Sequence, residues 1–110
     1  ERLMDRIMKV VNKNLDNPEL SIELITKEVG ISRAHLHRKL KELTNQNTTT
    51  FIRNIRLQQA ANLLKEKRHS IVEIARIVGF SRANNFSTAF KELYGITPME
   101  WREQHSNMEE

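Results

Sequence analysis

One pattern occurs twice in this chain of 110 residues, and it limits the fold more than any other feature. Ser21-Ile22 through Val29-Gly30-Ile31-Ser32-Arg33-Ala34 is matched, 49 positions later, by Ser70-Ile71 through Val78-Gly79-Phe80-Ser81-Arg82-Ala83. Leu36, Leu40, Lys41, Glu42 and Leu43 then match Phe86, Phe90, Lys91, Glu92 and Leu93 at an offset of 50. The second copy therefore has one extra residue, expected near Asn84-Asn85 at the start of its second helix. Self-similarity of this kind means one supersecondary unit used twice. Each copy is a short apolar-periodic segment, a Gly-hydrophobic-Ser turn and a second segment, which is the pattern of a helix-turn-helix. Glycine permits the positive φ of the turn. The hydrophobic residue after it, Ile31 or Phe80, plugs the angle between the helices. The serines, Ser32 and Ser81, are placed to cap the second helices. A helical hairpin used only for packing would need a single copy, so the repeated turn weighs against it.

The rest of the chain is also helical in period. Leu3, Met4, Ile7, Met8, Val11 and Leu15 form an apolar stripe, which Asn17-Pro18 is expected to stop. Short helices are expected from about Ile22 to Val29 and from Ser32 to about Leu43. Asn45 to Thr50 reads as a loop. A long helix follows from roughly Thr49 to Lys65, with Phe51, Ile52, Ile55, Ala60, Ala61 and Leu64 as its stripe. Ser70 with Glu73 forms a capping-box pair, and Gly79 ends that helix. Another helix runs from Ser81 to about Tyr94, ended by Gly95. Thr97, Pro98 and Glu100 supply an N-cap, an N1 proline and an N3 carboxylate for the last. Leu36, Leu40 and Leu43, and likewise Phe86, Ala89, Phe90 and Leu93, are expected in the core. No segment alternates with period two for long enough to be a strand. The expected fold is all-α, with seven helices forming two helix-turn-helix subdomains joined by a long central helix. The divisions are 1–47, a linker helix 48–66, and 67–110.

Charge is unevenly placed. Residues 32–43 carry a net +3 and 44–69 a net +4, whereas 95–110 carry −3. A basic middle suits a polyanion. The outer face of the first recognition candidate (about 32–43) presents Arg33, Ala34, His37 and Arg38 as base readers. That of the second (about 81–94) presents Arg82, Ala83, Asn84 and Thr88. Arginine matches guanine O6/N7, asparagine matches adenine N6/N7, and Thr88 or Ala83 can pack on a thymine methyl. Ser32, Lys41, Arg53, Arg56, Ser81, Ser87 and Lys91 are candidates for phosphate. A long helix of about 17 residues at about 1.5 Å each spans roughly 25 Å. Neighbouring major grooves on one side of duplex DNA lie about 34 Å apart. One chain could therefore engage both.

At this point the residues resemble the AraC/XylS family of bacterial transcription regulators. The likeness covers essentially the whole chain. It is densest in Arg56-Leu57-Gln58-Gln59-Ala60-Ala61, Ile74-Ala75-Arg76-Ile77-Val78-Gly79-Phe80, Phe86-Ser87-Thr88-Ala89-Phe90-Lys91 and Tyr94-Gly95-Ile96-Thr97-Pro98. The resemblance implies two helix-turn-helix units in adjacent major grooves of promoter DNA. The stretch Ser32 to Lys41, with Phe51-Ile52-Arg53, is also similar to the C-terminal output domains of Bacteroides-type hybrid two-component regulators. That likeness implies sensor, kinase and receiver domains upstream of Glu1, control by phosphorylation-driven dimerisation, and carbohydrate-use genes as targets. Thr88 stands where many relatives carry a DNA-contacting arginine, Leu40 where many carry phenylalanine, and Asn84-Asn85 is an unusual helix opening. Base preference therefore does not transfer from the family.

Other classes fit less well. There is no cysteine, so disulfides and cysteine-zinc sites are excluded, which agrees with a reducing cytoplasm. His35 and His37 are two apart and face different ways on a helix, unlike an i, i+4 metal pair. No phosphate loop, nucleophile elbow or carboxylate pair appears, so no enzyme, metal or cofactor is expected. No apolar run reaches membrane-span length, and no membrane contact is expected. The chain opens at Glu1 inside a helical pattern, as a piece of a larger protein would. The main rival is a helical protein-interaction bundle, and the first helix and acidic tail could also dock other modules or RNA polymerase. RNA binding is weaker, because Phe86 and Phe90 belong to the core stripe and are not free to stack on bases.

Overall fold

The computed structural model describes residues 2–15, 17 and 19–106. Among them are seven helices and no strand: α1 (Arg2–Lys13), α2 (Ile22–Val29), α3 (Arg33–Thr44), α4 (Thr48–Leu64), α5 (Ile71–Ile77), α6 (Ala83–Tyr94) and α7 (Pro98–His105). The expected all-α architecture is the observed one. Pro18, expected to stop α1, lies outside the described residues.

The capping residues act as their types dictate. Ser21, Ser32 and Asn47 each accept a hydrogen bond from a backbone amide of their helix's first turn. Ser70–Glu73 and Thr97–Glu100 close complete capping boxes, both reciprocal bonds present. Ser81 departs from expectation. The N-cap of α6 is Arg82, with no side-chain cap bond. The two turns share one bond, in which the amide of Ile31 donates to Thr26 O and that of Phe80 to Ala75 O, both i→i−5. However, α2 ends at Val29 with Gly30 as its C-cap, whereas α5 ends at Ile77 with Val78 as its C-cap, so Gly79 lies one residue beyond the cap it was expected to be. Gly30 and Gly79 are both left-handed, with φ of 83° and 94°. Because α3 begins one residue after Ser32 and α6 one residue after Arg82, the extra residue of the second copy sits in the turn. It is not at Asn84-Asn85, which lie within α6.

Two cores flank α4. Ile7, Val11, Leu20, Ile25, Val29, Leu36 and Leu40 pack with Phe51 and Ile52 from its first turns. Ile74, Ala75, Val78, Phe86, Ala89 and Phe90 pack with Leu57, Ala60, Ala61 and Leu64 from its last. The first core is aliphatic apart from Phe51. The second contains a continuous aromatic chain, Phe80–Phe86–Phe90, with Tyr94 and Trp101 against Phe90. Leu43 and Leu93 are not in the core as expected, being 45% and 40% exposed. They occupy equivalent last-turn positions of α3 and α6, where the helices have run past the neighbours that bury their earlier turns.

Helix ends are tied to one another by long donors. Trp101 Nε1 donates to Ala61 O at 3.2 Å and Arg102 Nε to Leu64 O at 3.0 Å. Both acceptors are last-turn carbonyls of α4 that lack an intrahelical partner, so α7 fastens the end of α4. In the first half, Arg6 donates to Val29 O at the end of α2. The result is an elongated body of 47 × 25 × 23 Å.

Candidate nucleic-acid interface

The outer faces of α3 and α6 are built alike. On α3, Leu36 and Leu40 face inward and leave Arg33, Ala34, Arg38 and Lys41 exposed. On α6, Phe86, Ala89 and Phe90 face inward, leaving Asn84, Thr88 and Lys91 exposed with Ala83 and Ser87 half-buried. Ala34 corresponds to Asn84, Arg38 to Thr88 and Lys41 to Lys91, all offset by 50. Arg38 has no partner among the described residues. With His37, Lys41 and Glu42 it lines a shallow depression on α3. A long cation there, held by nothing, is free to reach an external acceptor.

The remaining α3 candidates are already oriented. Arg33 Nη1 pairs with Glu23 Oε2 of α2 at 2.5 Å, and both side chains are exposed. Glu23 is held below its ordinary pKa, first by backbone hydrogen bonding at its own helix start and then by Arg33. His37 is half-buried, with Nδ1 3.0 Å from Thr48 Oγ1. Thr48 is fully buried, so this bond fixes the imidazole plane and leaves Nε2 as its unassigned nitrogen. Thr48 was not singled out in the sequence. It follows the loop and belongs to another helix, so no spacing rule connects it to His37.

Among the phosphate candidates, Ser32, Lys41, Ser81 and Lys91 are exposed and Ser87 half-buried. Ser32 Oγ is also the cap acceptor of His35 N. Arg82, at the entry of α6, is exposed. Arg53 is exposed and pairs with Glu92 of α6 at 3.7 Å, a screened surface contact that a stronger anion can displace. Arg56 does not belong with these. It is 9% exposed, and its guanidinium donates to Gly79 O at 2.7 Å and to Asn17 O at 3.0 Å. Burial pushes its pKa down from the ordinary arginine value. The signal was present in the spacing: Arg56 lies four residues after Ile52 and four before Ala60, both buried, which places it on an inward face of α4.

Comparison with known proteins agrees with the all-α fold. Residues 25–104 match the profile of a family described as a helix-turn-helix domain. The chain is 33% identical over 106 residues to the protein named histidine kinase P4 of Formosa agariphila, covering 96% of this chain but 8% of that protein's length. Its fold is similar to a transcriptional regulator with an AraC-type DNA-binding domain from Chromobacterium violaceum, at 30% identity and TM-score 0.89, covering 98% of this chain and 96% of that one. It is also similar to the C-terminal domain of AraT, a response regulator from Geobacillus stearothermophilus, at 28% identity and TM-score 0.89, covering 99% and 90% of the two chains.

Proposed function

Because this chain belongs to the AraC-type family of helix-turn-helix transcription regulators, we propose that it reads promoter DNA by laying α3 and α6 in adjacent major grooves. The family is one of sequence-specific DNA-binding regulators, not of enzymes. The observation that carries the two-groove reading is the matched exposure of the α3 and α6 outer faces, presented by two units of one 47 Å body. That length exceeds the roughly 34 Å between successive major grooves on one side of a duplex.

The division of labour follows from the side chains. Residues 1–47 and 67–110 are assigned as the two reading units, joined by a linker, 48–66, whose helical part is α4. Arg38 and His37 read in the first groove, with Ala34 leaving room for a base edge and Arg33 released from Glu23 on binding. Asn84, Thr88 and Ala83 read in the second, with Arg82 at the entry. Lys41, Arg53, Lys91, Ser32, Ser81 and Ser87 hold phosphates, which set register without specifying bases. Arg56 is withdrawn from that set. The chain is the output module of a longer cytoplasmic signalling regulator with sensor and receiver domains upstream, as its likeness to part of a histidine kinase and to a response regulator's C-terminal domain supports. RNA polymerase is the partner once the promoter is occupied. Among the described residues no helix is long and apolar enough to cross a membrane.

Selection of bound sequences from a random duplex library at two salt concentrations tests the reading. The expected result is a motif of two blocks about one helical turn, roughly 10 base pairs, apart. Recovery of one block, or of none, would remove the two-groove arrangement.

A further inference from the structure

We propose that Arg56 is a positioning residue that fixes the pose of the two reading units relative to each other, and so sets the separation between DNA blocks that the chain accepts. The inference rests on the two-groove reading above and names the part of the fold that regulates it. Only α4 packs extensively against helices of both halves: α3 on one side, and α5, α6 and α7 on the other. Within α4, Arg56 stands where one core gives way to the next, after Ile52 and Ile55 and before Leu57.

Its single guanidinium reaches both halves. Nη1 donates to Gly79 O, in the turn of the second unit, at 2.7 Å. Nη2 donates to Asn17 O at 3.0 Å and lies 3.5 Å from Leu20 O, both in the segment joining α1 to α2. The fit at Gly79 is close: a Cβ added there would lie 2.5 Å from Arg56 Nη1. Glycine suits that position by its φ of +94°, and any side chain there would push against the guanidinium. Beside the guanidinium runs a cleft of about 230 Å³, lined in part by Leu20 and Ser21 of the first half and Phe80 of the second. Apolar packing therefore does not close this seam, and the hydrogen bonds of Arg56 cross it. A planar fork with several fixed donors can tie three carbonyls at once, whereas a lysine is a point donor on a flexible stem.

The consequence is geometric. Inserting one base pair between two blocks moves the second by about 3.4 Å and turns it by about 35°. A rigid tie between the units rejects that change, and a loose one follows it.

The test compares the unaltered chain with Arg56→Met and Arg56→Lys on duplexes carrying the two selected blocks at the selected separation and with one or two base pairs added or removed. The unaltered chain is expected to favour one separation about tenfold or more, as linked modules do when only one geometry engages both. Arg56→Met is expected to flatten this to about twofold while leaving the base preference within each block unchanged. Arg56→Lys is expected to fall between them. A folded variant with an unchanged profile overturns the proposal, and so does equal weakening at every separation, which is what a phosphate contact or a purely structural role gives.

A second measurement is independent of DNA. The chain has no cysteine, so spin labels at Glu28→Cys and Glu103→Cys, exposed sites in α2 and α7, report one distance across the molecule. A broader distance distribution in Arg56→Met, or in Arg56→Lys should the methionine variant not fold, is the expected result. An equally narrow one overturns the proposal. If the unaltered chain selects no two-block motif, the functional reading fails, and the label distances still decide the role of Arg56.

Discussion

Three arginines of α3 and α4 have the same charge and three different fates, set by what surrounds each guanidinium. Arg38 is exposed and has no partner among the described residues, so its donors are available to a base edge. Replacing it with alanine is expected to cost about 1–3 kcal/mol of binding and to relax preference at one base position of the first block. Affinity and preference both left intact would take Arg38 out of the reading set. Arg33 is exposed but shared with Glu23. Arg56 is turned inward and bound to main chain. Phe80 shows how burial sets a magnitude. It is half-buried and meets Phe86 edge-on at 5.5 Å, so Phe80→Ala is expected to cost about 2–3 kcal/mol, below the range for a fully buried ring. A chemical denaturation midpoint that does not move would show that the turn does not depend on this plug.

At the scale of helices, the start signals carry both the fold and a pH dependence. Glu73 and Glu100 accept backbone amides at the starts of α5 and α7, and each is held below the ordinary 4.5, first by that backbone bond. A carboxylate with a lowered folded pKa stabilises fully above its unfolded value, and the contribution disappears as pH falls through the lowered one. Melting temperature is therefore expected to drop below about pH 4.5, and the pair Glu73→Gln with Glu100→Gln to make that acid limb shallower. An unaltered limb would place the acid sensitivity elsewhere. The same signals made most of the fold legible. Five of the seven helices, α2, α3, α5, α6 and α7, have a start or an end marked by a cap, a glycine or a box visible in the sequence, and the repeat supplied the pairing of units. Ser81 was misleading because type alone cannot say which of two adjacent residues will have the extended backbone of an N-cap. Leu43 and Leu93 were misleading because periodicity gives a face and not the point at which its neighbour ends. For the interface, α3 and α6 were readable from the repeat, whereas the Thr48–His37 contact joins different helices and has no local signature.

For the whole molecule, the expected grip on DNA is electrostatic in strength and local in specificity. If Lys41, Arg53 and Lys91 each neutralise one phosphate, log affinity should fall against log salt with a slope of about −2.7. Titration of the selected duplex over a range of salt measures it. A flat response would favour an apolar partner surface over a polyanion. Lys91→Ala should lower the slope by about 1 without changing the recovered motif.

The unit-to-unit mismatch at Ser81 has a further effect. Many helix-turn-helix proteins meet DNA as two identical halves related by a dyad, and such a complex looks the same from either direction. Here the two units follow one another along a single chain, one with a more cationic outer face than the other, and their turns differ by a residue. A bound molecule therefore has a front and a back. Its site has a direction, and reversing that site in front of a gene would present the opposite end of the protein to whatever assembles beside it.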